Sequence, residues 1–133
     1  MKIFADTNVL VSAFTARGIC ADLLEVILAD HQLITGEFAL KELEKVLIDK
    51  LKVPDDKVSR LILFLRKHHV EPIPDKPSDI KVRDDDDRWV LESAIRANAD
   101  ILVTGDKDLL DISDKISQLK IIAPRGFWEL LQK

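Results

Sequence analysis

A chain of 133 residues is long enough to bury roughly two-thirds of its unfolded surface, which points to one folded domain over residues 1–133. Its 47% hydrophobic and 33% charged composition excludes a disordered chain, and a net charge of −4 argues against a general nucleic-acid-binding surface unless metal ions reverse the sign locally. The single cysteine, Cys20, excludes an intrachain disulfide, no stretch reads as a signal peptide, and the uncharged run 7–16 is too short to span a bilayer. A cytoplasmic protein without membrane contact is expected.

Residues 2–6 read as a short buried strand that ends in a carboxylate, Asp6, with Asn8 close behind and no cationic neighbour within several positions. Cys20, Leu23, Leu24, Ile27 and Leu28 recur at helical spacing and predict a helix over 21–29. Cys20 on that stripe is expected to be a small core residue. A second strand follows at 32–35. Ala39, Leu40, Leu43, Val46 and Leu47 predict a helix on which Glu42 and Glu44 flank the apolar stripe on opposite sides. Periodicity cannot choose between them, and each reads as solvated. Another helix is expected at 58–65, a proline-containing strand at 70–73, and a loop at 72–79.

The stretch RDDDDRWVLESAIRANAD predicts a helix over 86–97 with Val90, Leu91, Ala94, Ile95 and Ala97 on one face. Asp87 falls near the centre of that face, which is compatible with an inward helix cap or with a metal ligand. Asp85 and Asp86 point elsewhere and suit the first turn of the helix. A β-branched strand at 100–104 then runs into Thr104, Gly105 and Asp106, repeating the pattern of a carboxylate directly after a strand. Gly105 would allow a backbone angle that other residues avoid. Asp108 sits two positions on. A last strand at 119–123 and a helix at 125–131 complete the chain. Alternation of strands and helices argues for a parallel sheet covered on both faces, whose sites lie beyond the carboxyl ends of the strands.

Other chemistry is thinly represented. His68 and His69 are adjacent and not expected to face one site. Neither they nor His31 has a zinc-ligand partner at the usual spacing, and there is no glycine-rich phosphate loop or nucleophile elbow. Trp89 and Trp128 are expected to be partly buried.

Four collinear pieces, FADTNVLVSAF, ALKELEKVL, the aspartate-led helix and the strand ending in VTGDKDLL, resemble the PIN-domain family, in particular its single-domain prokaryotic toxins of toxin–antitoxin pairs. The resemblance implies a three-layer α/β/α fold with a central, mainly parallel sheet of about five strands. It assigns catalytic and metal-binding roles to Asp6, Glu42, Asp87 and Asp106, with Thr7, Asn8 and Thr104 as supporting groups and Asp108 as a further ligand candidate. Asp84 also matches a frequent family acid, while Asp85 and Arg88 depart from the pattern, where relatives often carry proline and an acid. Carboxylates converging in this way repel one another unless cations neutralise them, and oxygen-only ligands suit Mg²⁺ or Mn²⁺. The implied activity is metal-dependent hydrolysis of RNA, with an antitoxin partner and a homodimer as further implications. Arg17, Arg83, Arg88, Lys107 and Arg125, on loops or helix starts near the expected site, are candidate RNA contacts. Two alternatives stay open. A phosphatase with an aspartyl nucleophile would want aspartate where Asn8 stands. A non-catalytic PIN-like binding module would not need every acidic position filled.

Overall fold

A computed structural model describes residues Met1–Lys133. The chain runs β1 (Lys2–Ala5), α1 (Thr7–Thr15), α2 (Ile19–Asp30), β2 (Gln32–Gly36), α3 (Glu37–Lys45), a π-turn (Val46–Lys50), α4 (Asp55–Leu65) and β3 (His69–Glu71). It continues with α5 (Asp85–Arg96), β4 (Ile101–Val103), α6 (Lys107–Asp111), a 3₁₀ turn (Ser113–Lys115), β5 (Lys120–Ile122) and α7 (Pro124–Leu131). The five strands form one sheet in the order β3-β2-β1-β4-β5, and every pairing is parallel.

Side-chain alternation along the central strands divides the core in two. Ile3 and Ala5 of β1, with Ile101 and Val103 of β4, join Leu10, Leu23, Leu40, Leu43 and Phe127 on one face. Phe4 and Leu102 point the other way, onto Val90, Leu91 and Ala94 of α5 and Leu109 of α6. Strands buried on both faces need no polar residue inside them, which explains why residues 3–5 of β1 and all of β4 read as apolar runs. The result is the three-layer α/β/α arrangement. Chain order steps outward from β1 through β2 to β3, then returns to the other side of β1 with β4. That reversal opens a crevice between the carboxyl ends of β1 and β4. No helix is long and apolar enough to cross a membrane.

Several boundaries differ from expectation. The largest difference is α1: the chain turns helical at Thr7, far ahead of the helix expected at 21–29, which itself starts at Ile19. Thr7, Val9, Val11 and Thr15 are β-branched and carry little local helix preference. Burial of Val9 and Leu10, and a cap from Asp6, supply what propensity lacks. Glycine at position 18, at φ +152°, takes the backbone into α2 through a conformation that side chains rarely adopt. β3 ends at Glu71, one residue before Pro72, which has no N–H to give to a ladder. Residues 107–111, for which the sequence predicts no element, form α6. The helix expected at 86–97 begins at Asp85, capped by Asp84, whose side chain accepts from Asp86 N at 3.0 Å.

Candidate metal centre

Asp6 stands at the first residue after β1 and is only 4% exposed. It meets no cation. Its Oδ1 accepts from Thr7 N at 2.7 Å, and its Oδ2 accepts from Asn8 Nδ2 at 3.1 Å and Thr104 Oγ1 at 2.8 Å. Loss of water outweighs these neutral donors, and the nearby Asp106 charge adds to it, so the carboxyl lies above its ordinary value. Asn8 joins the two strand ends. Its Nδ2 also lies 3.3 Å from Thr104 Oγ1, and its Oδ1 accepts from Gly105 N at 2.8 Å. Gly105 does not use a positive φ. A Cβ there would lie 3.3 Å from Asn8 Oδ1, so the glycine serves close approach rather than an unusual angle. Thr104 Oγ1 in turn accepts from Asp106 N at 2.9 Å, and Asp106 caps α6 by accepting from Asp108 N at 2.8 Å. One polar lattice thus sets the directions of Asp6 and Asp106.

The third acid comes from α5. Asp87 is not the helix cap, a place Asp84 takes. It lies inside the first turn, 7% exposed, and its Oδ2 is buried with no hydrogen-bond partner. Burial first, then the Asp106 carboxylate beside it, push Asp87 far upward. One carboxylate oxygen from each of Asp84, Asp87 and Asp106 lies within 4.8 Å of the others. Glu42 reaches the same place from α3. Its carboxyl is pushed up to about 7, first by loss of water and then by the charges of Asp6, Asp86, Asp84 and Asp106. Glu44, on the other flank of the stripe, is exposed. Packing of α3 therefore decides between the two glutamates, and the solvated reading of Glu42 is corrected.

These groups line one cavity of about 370 Å³, bounded by Asp6, Thr7, Asn8, Val11, Ser12, Glu42, Val46, Asp84, Asp87 and Asp106. Thr7 Oγ1 donates to Ala39 O at 3.2 Å and so ties the start of α1 to α3. Asn8, Val11 and Ser12 share a face of α1 at spacings of three and four. Val11 and Ser12 escaped the sequence reading because α1 itself did. Asp108 is not among the lining residues; its backbone is used by Asp106. None of Arg17, Arg83, Arg88, Lys107 and Arg125 lines the cavity either. Arg88 is committed elsewhere, donating to Ser78 O at 2.8 Å and Asp85 Oδ1 at 2.7 Å, which straps the preceding loop onto α5. The three histidines, contrary to expectation, border one cavity at the opposite end of the strands, although their nitrogens do not converge as a metal-ligand set. Trp89 is half-buried and stacks on Phe38, with ring centroids 6.2 Å apart.

Asn8→Ala should cost about 1–2 kcal/mol, because Gly105 N and Asp6 lose a shared partner in a partly buried site. It should also lower activity about 10–100-fold by loosening groups that orient the acids. Chemical denaturation beside a cleavage assay measures both, and an activity equal to the unmodified chain would mean the lattice positions nothing.

A sequence model of the PIN domain matches residues 2–108, four-fifths of the chain. The protein belongs to the PIN-domain family. An uncharacterized protein of Methanocaldococcus jannaschii is 32% identical over 126 residues, covering 91% of this chain and 81% of that protein. A chain in the structure of VapBC2 from Rickettsia felis, solved bound to a DNA fragment from their promoter, superposes with a TM-score of 0.68 at 18% identity, covering 92% of this PIN domain and 98% of that chain. The PIN domain endonuclease Utp24 superposes with a TM-score of 0.50 at 20% identity over 92% of this chain and 84% of its own. At these identities the structural matches speak for the fold.

Proposed function

We propose that this PIN domain is an endoribonuclease that uses Mg²⁺ or Mn²⁺ at the acidic cavity, acting in the cytoplasm as the toxin of a toxin–antitoxin pair. One observation carries the metal: Oδ2 of Asp87 is buried with no hydrogen-bond partner, in a residue that brings a carboxylate oxygen within 4.8 Å of oxygens of Asp84 and Asp106. A buried acceptor left in that state costs about 1–3 kcal/mol, and more when it is charged. A cation relieves that cost and also the mutual repulsion of the cluster. The donor set fits, since it is all oxygen and suits a hard divalent ion rather than zinc. Asp6, Asp87 and Asp106 would hold it, with Asp84 and Glu42 alongside. When bound, such an ion binds a phosphate oxygen, acidifies a water and stabilises charge on the leaving oxygen.

The chain's own part is preorganisation. Asp6 is held by three neutral donors, so its oxygens are aimed before any ion or substrate arrives. Glu42 and Asp87, both raised by burial and by neighbouring acids, are the groups at which a cation would compete with protons. The Utp24 match, to a named endonuclease, supports phosphodiester cleavage, and the VapBC2 match supports a protein partner. Leu63 and Phe64 on α4, 63% and 36% exposed, are apolar side chains that an antitoxin or a second copy of the chain would cover. The phosphatase alternative loses support because Asn8, where a second aspartate would be needed, is occupied with the strand ends. The non-catalytic alternative loses support because every acidic position is filled.

The test is cleavage of defined RNAs with Mg²⁺, with Mn²⁺ and with EDTA. The expected result is cutting with either ion, products carrying 5′-phosphate and 3′-hydroxyl ends, and none in EDTA. Cleavage that persists in EDTA, or hydrolysis of small phosphate monoesters with none of RNA, overturns the reading.

A further inference from the structure

Beyond Glu42 the acidic cavity does not close. Glu42 and Val46 are also walls of a second groove of about 260 Å³, completed by Lys45, Asp49, Lys50 and Asp86. The groove lies over the end of α3, where the helix changes form. Leu51 N bonds to Val46 O at 3.1 Å, a step of five residues instead of four, across the π-turn Val46–Lys50. That change has a consequence for charge. On a continuing α-helix, at about 100° per residue, Lys45 and Lys50 would diverge by about 140°. The five-residue step of a π-turn brings them back to the same side, and both line the groove. Both are exposed and neither forms an ion pair. By contrast, no basic residue lines the acidic cavity itself.

From this we infer that the groove is a strand path: the nucleic-acid backbone on one side of the scissile bond leaves the acidic cavity over the π-turn, with successive phosphates held by Lys45 and Lys50. The inference rests on the nuclease reading above and adds the route of the substrate. Among the residues that line the acidic cavity and the groove beside it, these two lysines are the only cations a polyanion leaving the site would meet. Glu42, Asp49 and Asp86 on the same walls outnumber the two lysines and keep the groove from being a general basic surface, so the lysines meet individual phosphates and the binding gain is modest.

The experiment compares the unmodified chain, a Lys45→Gln/Lys50→Gln double variant, and a Lys115→Gln/Lys120→Gln control of equal charge at the other end of the sheet. Each is assayed with Mn²⁺ on RNAs from a dinucleotide to about twenty nucleotides. For the long RNA the Lys45/Lys50 variant should raise KM about tenfold, with kcat held. It should also flatten the dependence of log KM on log salt by about 1.4, at about 0.7 for each single-strand phosphate that no longer meets a lysine. The penalty should vanish on the dinucleotide, which cannot reach the groove, and the control pair should leave KM in place. Equal effects from both pairs, or a penalty on the dinucleotide as large as on the long RNA, overturn the path. So does an unmoved KM while the unmodified chain cleaves well. An unmodified chain that cleaves no RNA at all overturns the nuclease reading and the path with it.

Discussion

Asp6→Asn should lower RNA cleavage about 10³-fold or more, equivalent to about 4 kcal/mol of lost transition-state stabilisation, while the protein still folds. The activity loss follows from place: Asp6 is the carboxylate fixed most firmly by its surroundings, and an amide has neither the charge nor the second acceptor oxygen for a cation. Survival of the fold follows from two opposing terms. An amide oxygen can still accept from Thr7 N, but its NH₂ then faces Asn8 Nδ2 and Thr104 Oγ1, two groups that now donate to Asp6. Losing that match costs about 1–2 kcal/mol, and removing a buried charge beside Asp106 offsets it. Circular dichroism, Mn²⁺ calorimetry and cleavage rates together read the outcome. Asp87→Asn is the companion variant, since its buried Oδ2 has no hydrogen bond to forfeit. Full cleavage by either variant would take the acidic cavity out of the mechanism.

A second large effect is expected in stability against pH, and its sign depends on metal. In the folded protein Asp6, Glu42 and Asp87 are all raised, Glu42 to about 7 and Asp87 to about 8, above their ordinary unfolded values. The folded state therefore holds more protons than the unfolded chain once pH exceeds the unfolded carboxyl range. Stability from these groups is complete below that range and is lost as pH rises through the folded values. In EDTA the melting temperature should fall by about 5 °C between pH 5 and pH 9. That corresponds to roughly 1–2 kcal/mol, a figure held down because Glu42 is only half-buried and water screens it. Adding Mn²⁺ should raise the melting temperature, and more at pH 8.5 than at pH 5.5, because ions compete with protons for the same oxygens. A melting temperature in EDTA that climbs over this range, or a Mn²⁺ shift independent of pH, would contradict a shared acidic pocket.

Both expectations depend on groups brought from distant segments, and those segments differ in how much of their placement can be read locally. β1 and β4 are legible because a strand buried on both faces is an unbroken apolar run, so a carboxylate directly after it stands out. Asp6 and Asp106 were visible for that reason, and so was the inward position of Asp87 on the stripe of α5. Glu42 was not, since Glu44 has the same local standing and only the packing of α3 separates them. Arg88 shows the reverse error: a cation near the expected site reads as a phosphate contact until Ser78 and Asp85 are seen to hold it.

From its sequence alone, this chain determined the alternation of strands and helices, the two strand ends that present Asp6 and Asp106, and a likeness to the PIN-domain family in four ordered pieces. These are short-range properties, written in periodicity and in residues adjacent along the chain. Tertiary structure alone decided that Thr7–Thr15 is a helix, that Asp84 rather than Asp87 caps α5, that Asn8 bridges to Thr104 across 96 positions, and that a π-turn puts Lys45 and Lys50 on one side. Each depends on what a segment packs against once the sheet has formed, and burial against a distant neighbour outweighs local preferences of a few tenths of a kcal/mol per residue.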